Sequence, residues 1–143
     1  MHSSPATVLV IEKHPLMRAA LVNAIADEPD LTIAAIASDA GDTLRIIESL
    51  QPEIILFAIG NPGEKDLQSM QELRKHSLNA ALLALTTDEI LGQDKAALAH
   101  GADAVLAKTA PRAELLQALQ AMKTRVEPRV EVPSNSQRRD SGS

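Results

Sequence analysis

Five short apolar runs punctuate the chain, at residues 8–11, 31–36, 54–59, 81–85 and 104–107. Each has the length of a strand, is rich in Val, Ile, Leu or Ala, and is apolar at successive rather than alternate positions. A strand of that kind has to be covered on both faces, which predicts a buried parallel sheet. Between the runs, apolar residues recur at helical spacing: Met17, Ala20, Leu21, Ala24 and Ile25; Leu44, Ile47 and Leu50; Leu67, Met70 and Leu73. A fourth set is weaker, at Ile90, Leu91, Ala97 and Leu98, and a fifth is clear, at Leu115, Leu119, Met122 and Val126. Pro15 and Pro111 suit first helical turns, Pro29 and Pro52 follow helices, and Gly101 stands where a left-handed helix end belongs. The order is strand then helix, five times. With short connections and right-handed crossovers, this predicts an α/β fold: an open, doubly wound, five-stranded parallel sheet with helices on both faces. A closed eight-stranded barrel would need a much longer chain.

After about Arg125 the periodicity stops, and residues 127–143 are expected to form a disordered tail or the start of a linker. The expected organisation is an extension over residues 1–6, one domain over 7–126, and that tail. A chain of 143 residues with 45% hydrophobic content can bury one ordinary core. Its formal net charge of -5 repels a phosphate backbone, so nucleic acid is not the first partner to expect. The absence of cysteine excludes disulfides and thiolate chemistry and fits a reducing compartment. The beginning of the chain has no basic leader and no apolar run spans a bilayer, so a cytoplasmic protein without a membrane segment is expected.

In a doubly wound sheet the functional crevice lies at the carboxyl ends of the strands. The polar or exceptional residues there are Glu12, Lys13, Ala58, Thr86, Thr87 and Lys108. The four histidines fall in separate segments without metal-ligand spacing, and neither a phosphate-binding glycine loop nor a nucleophile elbow is present. The sole aromatic residue, Phe57, leaves no platform for a flavin or a nucleobase. No enzyme, cofactor or metal is therefore expected.

Several segments together resemble the receiver domains of bacterial response regulators, especially those that precede a helix-turn-helix output domain. They are VLVIEKHPLMRAAL, EPDL, QPEIILFAIGNPG, ALLALTT, HGADAVLAK and AELLQAL, and the similarity runs from about Thr7 to Met122. The resemblance implies a flavodoxin-like sheet of strand order 2-1-3-4-5. It also implies two adjacent acids after the first strand, a phosphorylated aspartate ending the third, a Thr or Ser ending the fourth and a Lys ending the fifth. The matching positions here are Glu12 and Lys13, Ala58, Thr86, and Lys108, and the intervals between them match the family's without gaps. NPGEKD resembles the family's turn after the third strand and is a mark of the fold.

Two of those positions depart from the family pattern. An acyl phosphate needs a carboxylate nucleophile, and Ala58 carries a methyl group. The Mg²⁺ that the family uses is held by carboxylate oxygens, and Lys13 places an ammonium where one of them should be. Two unit charges about 4 Å apart at an effective dielectric near 20 interact by roughly 4 kcal/mol, a repulsion that Glu12 alone does not offset. The aromatic residue that three positions before the lysine follows the switch in the family is here Val105. The expectation is a degenerate, phosphorylation-independent receiver. Glu12, Lys13 and Lys108 then form either a charge-balanced pocket or a small-anion site.

Signalling would pass through protein contacts or a homodimer at the fourth helix, fifth strand and fifth helix, with Val105, Leu115, Leu116, Leu119 and Met122 as candidate surface residues. Leu116 is one apolar position more than a single buried stripe requires. A second reading is the regulatory fragment of a DNA-binding regulator whose output domain is absent, DNA being reached only through that domain. The scattered Arg129, Arg138 and Arg139 are read as a solvated terminus. A third reading is a ligand-binding flavodoxin-like domain, because fold does not fix function.

Overall fold

A computed structural model of the protein describes residues 4–45, 47–77 and 79–126. The expected tail over 127–143, with its three arginines, lies outside the described residues. Five parallel strands, β1 (Ala6–Ile11), β2 (Leu31–Ala37), β3 (Ile54–Ala58), β4 (Ala81–Thr86) and β5 (Ala104–Ala107), form one sheet in the order β2-β1-β3-β4-β5. The helices are α1 (Pro15–Ala26), α2 (Ala40–Leu44), α3 (Ile47–Leu50), α4 (Glu64–Lys75), α5 (Gln93–Ala99) and α6 (Arg112–Val126). The chain is therefore the doubly wound fold expected from its pattern.

The continuous apolar runs are explained by position. Every residue of β3 and β4 is buried, because both strands are interior and covered on both faces. On one face Val8, Val10, Ile54, Leu56, Leu83 and Leu85 pack with Leu21 and Ile25 of α1 and Leu119 of α6. On the other, Leu9, Ile11, Ile55, Phe57 and Leu82 pack with Ile47, Leu67, Met70, Leu73 and Ala97. The edge strand β2 pairs with β1 through a shift of register between Val8 and Leu9 that leaves Ala34 without a partner.

Three local expectations are corrected. The helix foreseen across Leu44, Ile47 and Leu50 is present as two short pieces, α2 and α3. Within α2 the Thr43 hydroxyl donates to the Ala40 carbonyl at 2.7 Å, competing with the helical ladder. The fourth helical set does not include Ile90 and Leu91: α5 starts at Gln93, because Gly92 adopts φ 81°, a left-handed conformation no helix continues through. Finally, the first strand, expected over residues 8–11, begins two residues earlier at Ala6, whose N–H donates to the Asp30 carbonyl at 2.9 Å.

Candidate functional site

All five strands run the same way, so their carboxyl ends gather on one edge and bring together the loops that follow β1, β3, β4 and β5. Glu12 and Lys13 follow β1, Ala58 ends β3, Thr86 ends β4, and Lys108 follows β5 with its N–H donating to the Thr86 carbonyl at 2.8 Å. The structure therefore collects all five residues at one edge.

Glu12 is only 2% exposed. One carboxylate oxygen, Oε2, accepts from the His14 N–H at 3.0 Å, while Oε1 is buried without a hydrogen-bond partner. The loop that carries Glu12 and Lys13 is clasped from α1, where the Arg18 guanidinium donates to the Glu12 carbonyl at 3.0 Å and the Lys13 carbonyl at 3.3 Å.

Lys13 does not pair with Glu12, as a charge-balanced pocket would require. Its ammonium lies 3.0 Å from Oδ1 of Asp66, in the first turn of α4, because the Glu12 carboxylate is turned back on its own chain. The other Asp66 oxygen accepts the Gly60 N–H at 2.7 Å. Gly60 permits this close approach: a Cβ at that position would stand 3.0 Å from Asp66 Oδ2, so the carboxylate would have to shift to admit a side chain. Asp66 is buried, half of the Lys13 side chain is exposed, and the pair joins the loop after β1 to the helix after β3.

A second set of bonds joins the loops after β3 and β4. Gln93, 3% exposed, accepts the Thr87 N–H at 2.8 Å and donates from Nε2 to the Gly60 carbonyl at 3.3 Å. The buried Thr86 hydroxyl donates to the Asp94 carboxylate, so the threonine expected at this strand end is held by the first turn of α5. Asn61 donates to Glu89 Oε1 at 2.9 Å across the same two loops, next to the cis Asn61–Pro62 bond. The result is a continuous chain of polar contacts from Lys13 through Asp66, Gly60 and Gln93 to Thr87. The ammonium of Lys108 makes no hydrogen bond or ion pair with any other described residue.

Sequence reasoning missed Asp66, Gln93 and Asp94. The usable signal for Asp66 was an acid in the first turn of the helix after a Pro-Gly turn, where a carboxylate favours the helix N-terminus and can reach back to a loop N–H. Of the five residues expected on an interaction surface, Leu115, Leu119 and Met122 are buried under the sheet, so they serve the core of this domain and present nothing to a partner. Leu116 and Val105 are partly exposed. Among the described residues no group of three or more His, Asp or Glu is placed to hold a metal ion. No helix among them is long and apolar enough to cross a membrane.

Comparison with known proteins bears on the fold. The sequence profile of the response regulator receiver domain matches residues 8–120. The nitrate/nitrite response regulator NarL of Escherichia coli K12 is 32% identical over 118 residues, 82% of this chain and 55% of that protein. The chain thus spans about half the length of the curated relatives it matches. Among solved structures, the signal receiver domain of NarL from Mycobacterium tuberculosis superposes with a TM-score of 0.73 at 25% identity, covering 85% of this chain and 98% of that one. A LuxR-family response regulator from Aurantimonas gives a TM-score of 0.75 at 26% identity, over 85% of this chain and 86% of the other.

Proposed function

The chain belongs to the family of response regulator receiver domains, and on that premise we propose that it is a pseudo-receiver, which signals through protein contacts without being phosphorylated. One observation carries the reading: the edge where phosphoryl chemistry would occur combines a methyl group at Ala58 with the Lys13–Asp66 ion pair. Phosphorylation at that strand end would need a carboxylate oxygen to attack phosphorus, and Ala58 has none to offer.

The Mg²⁺ implied by the resemblance does not fit the residues present. Glu12 has a buried carboxylate oxygen with no partner, a donor such an ion could take, but the neighbouring position supplies an ammonium instead of a second carboxylate. Asp66 is already committed to that ammonium and to the Gly60 N–H. The same pair weakens the small-anion reading, because one of its two cations is neutralised. In place of a switch the loops are joined by side chains, and we read the arrangement as one fixed signalling state.

Contacts with a protein partner or a second copy are assigned to the face of α5, β5 and α6. There Leu98 is 47% exposed, and Val105 and Leu116 are partly exposed. A second reading, the regulatory part of a DNA-binding regulator, is favoured by relatives about one and a half times as long as this chain, among them the transcriptional regulatory protein LiaR of Bacillus subtilis, 26% identical over 126 residues.

The test is the intact mass of the full chain after incubation with acetyl phosphate and Mg²⁺, beside an ordinary receiver as positive control. The expected result is no added phosphoryl group. A stoichiometric adduct would show that another residue has taken the nucleophile's place and would overturn the proposal.

A further inference from the structure

Leu91 is completely exposed, at the end of the loop between β4 and α5. One exposed leucine is ordinary in a soluble domain. This one, however, caps a ridge, Ile90–Leu91, with a depression on each side. The first, of about 210 Å³, is floored by Pro62, Gly63, Leu67 and Ala96. The second, of about 410 Å³, lies toward Thr87 and Lys95. The ridge stands on a fixed base, since Gln93 is bonded to both neighbouring loops and Asn61 is bonded to Glu89. Gly63 lets the turn pack closely on its base, as a Cβ there would come within 2.8 Å of the buried Ile59 side chain and 2.9 Å of the buried Gln93 side chain.

The rim is predominantly acidic. Glu64 borders the first depression, Asp88 and Asp94 border the second, and Glu89 is exposed between them; Lys95 is the one cation lining either depression. We propose that the ridge and its two depressions form a docking surface for a cationic amphipathic segment of a partner protein. Its apolar side chains would seat against Leu91, Ile90 and Leu67, and its Lys or Arg side chains would lie over Glu64 and Asp88. A second copy of this chain fits poorly, because a two-fold axis would bring the same acidic rim against itself in a molecule of net charge -5. The inference concerns shape and charge at the ridge and holds whether or not the chain is phosphorylated.

The experiment titrates the full chain into a labelled amphipathic peptide built from leucine and lysine alone, alongside its leucine and glutamate counterpart. Saturable binding of the lysine peptide is expected, weaker at high salt, and weakened by about tenfold or more in Leu91→Ser, the loss that follows from removing a buried leucine anchor. Glu64→Lys combined with Asp88→Lys should weaken it as well, and the glutamate peptide should not bind. Leu91 buries nothing, so Leu91→Ser should unfold at the wild-type temperature, which a thermal melt checks. The proposal is overturned by no saturable binding, by equal binding of the two peptides, or by binding that Leu91→Ser leaves unchanged. Self-association in sedimentation that Leu91→Ser abolishes would assign the ridge to a second copy and overturn the assignment to a cationic partner.

Discussion

The ammonium of Lys13 and the carboxylate of Asp66 meet 3.0 Å apart at the mouth of the sheet, and that contact decides what single substitutions can do there. Replacing Ala58 by aspartate adds a carboxylate to the end of β3, but Lys13 still occupies the position from which a second carboxylate would hold a dication. Ala58→Asp alone is therefore expected to remain unlabelled by acetyl phosphate and Mg²⁺, whereas Ala58→Asp with Lys13→Asp is expected to gain Mg²⁺-dependent labelling. Intact mass distinguishes the two, and tight Mg²⁺ binding by the single variant would remove Lys13 from the explanation. The residues of this edge were legible in the sequence to the extent that they end strands: parallel strands must deliver Glu12, Ala58, Thr86 and Lys108 to one side. The partners were not legible. Whether Lys13 turns to Glu12 or to Asp66 depends on side-chain directions that only the packed loops fix, and a buried glutamine such as Gln93 leaves no periodic mark.

At the scale of elements, the end of α5 shows how one residue type sets a boundary. The Ala102 N–H donates to the Ala97 carbonyl at 3.1 Å and the Gly101 N–H to the Leu98 carbonyl at 3.3 Å, the paired bonds of a Schellman cap, with Gly101 at φ 114°. A Cβ on Gly101 would also come within 3.0 Å of Arg74 Cγ, in α4. Gly101→Ala is accordingly expected to lower stability by about 1–2 kcal/mol, read from urea midpoints. An unchanged midpoint would mean that the cap relaxes without cost. This helix end was legible because glycine is the residue a left-handed cap asks for. The start of the same helix was misplaced for the same reason: Gly92 interrupts an apolar pattern that spacing alone would run back to Ile90. The last helix was legible as a buried stripe through Leu115, Leu119 and Met122. Which extra apolar positions stay outside it, Leu116 here, depends on how the helix rolls on the sheet.

Across the whole molecule, the strand order followed from the resemblance and the two-faced core from the runs themselves, but the tie that unites the far half of the sheet was hidden in charged residues that read as surface. Arg74 near the end of α4 donates to the Ser77 and Ala80 carbonyls and lies 2.6 Å from Asp103 Oδ2. The same Asp103 oxygen accepts the Leu82 N–H at 2.8 Å. One carboxylate thus links α4, β4 and the approach to β5, and both charged side chains are 19% exposed. Deleting the carboxylate leaves a largely buried guanidinium and a strand N–H without this partner, so its removal costs more than the net worth of the pair. Asp103→Ala is expected to destabilise the fold by about 2–3 kcal/mol, below the cost for a fully buried pair because water reaches both groups. Arg74→Met combined with Asp103→Ala should recover part of that loss, since no charge is then stranded. Denaturation of the single and double variants measures the difference, and a double variant less stable than Asp103→Ala alone would place the contribution of Arg74 in its carbonyl contacts rather than in the ion pair.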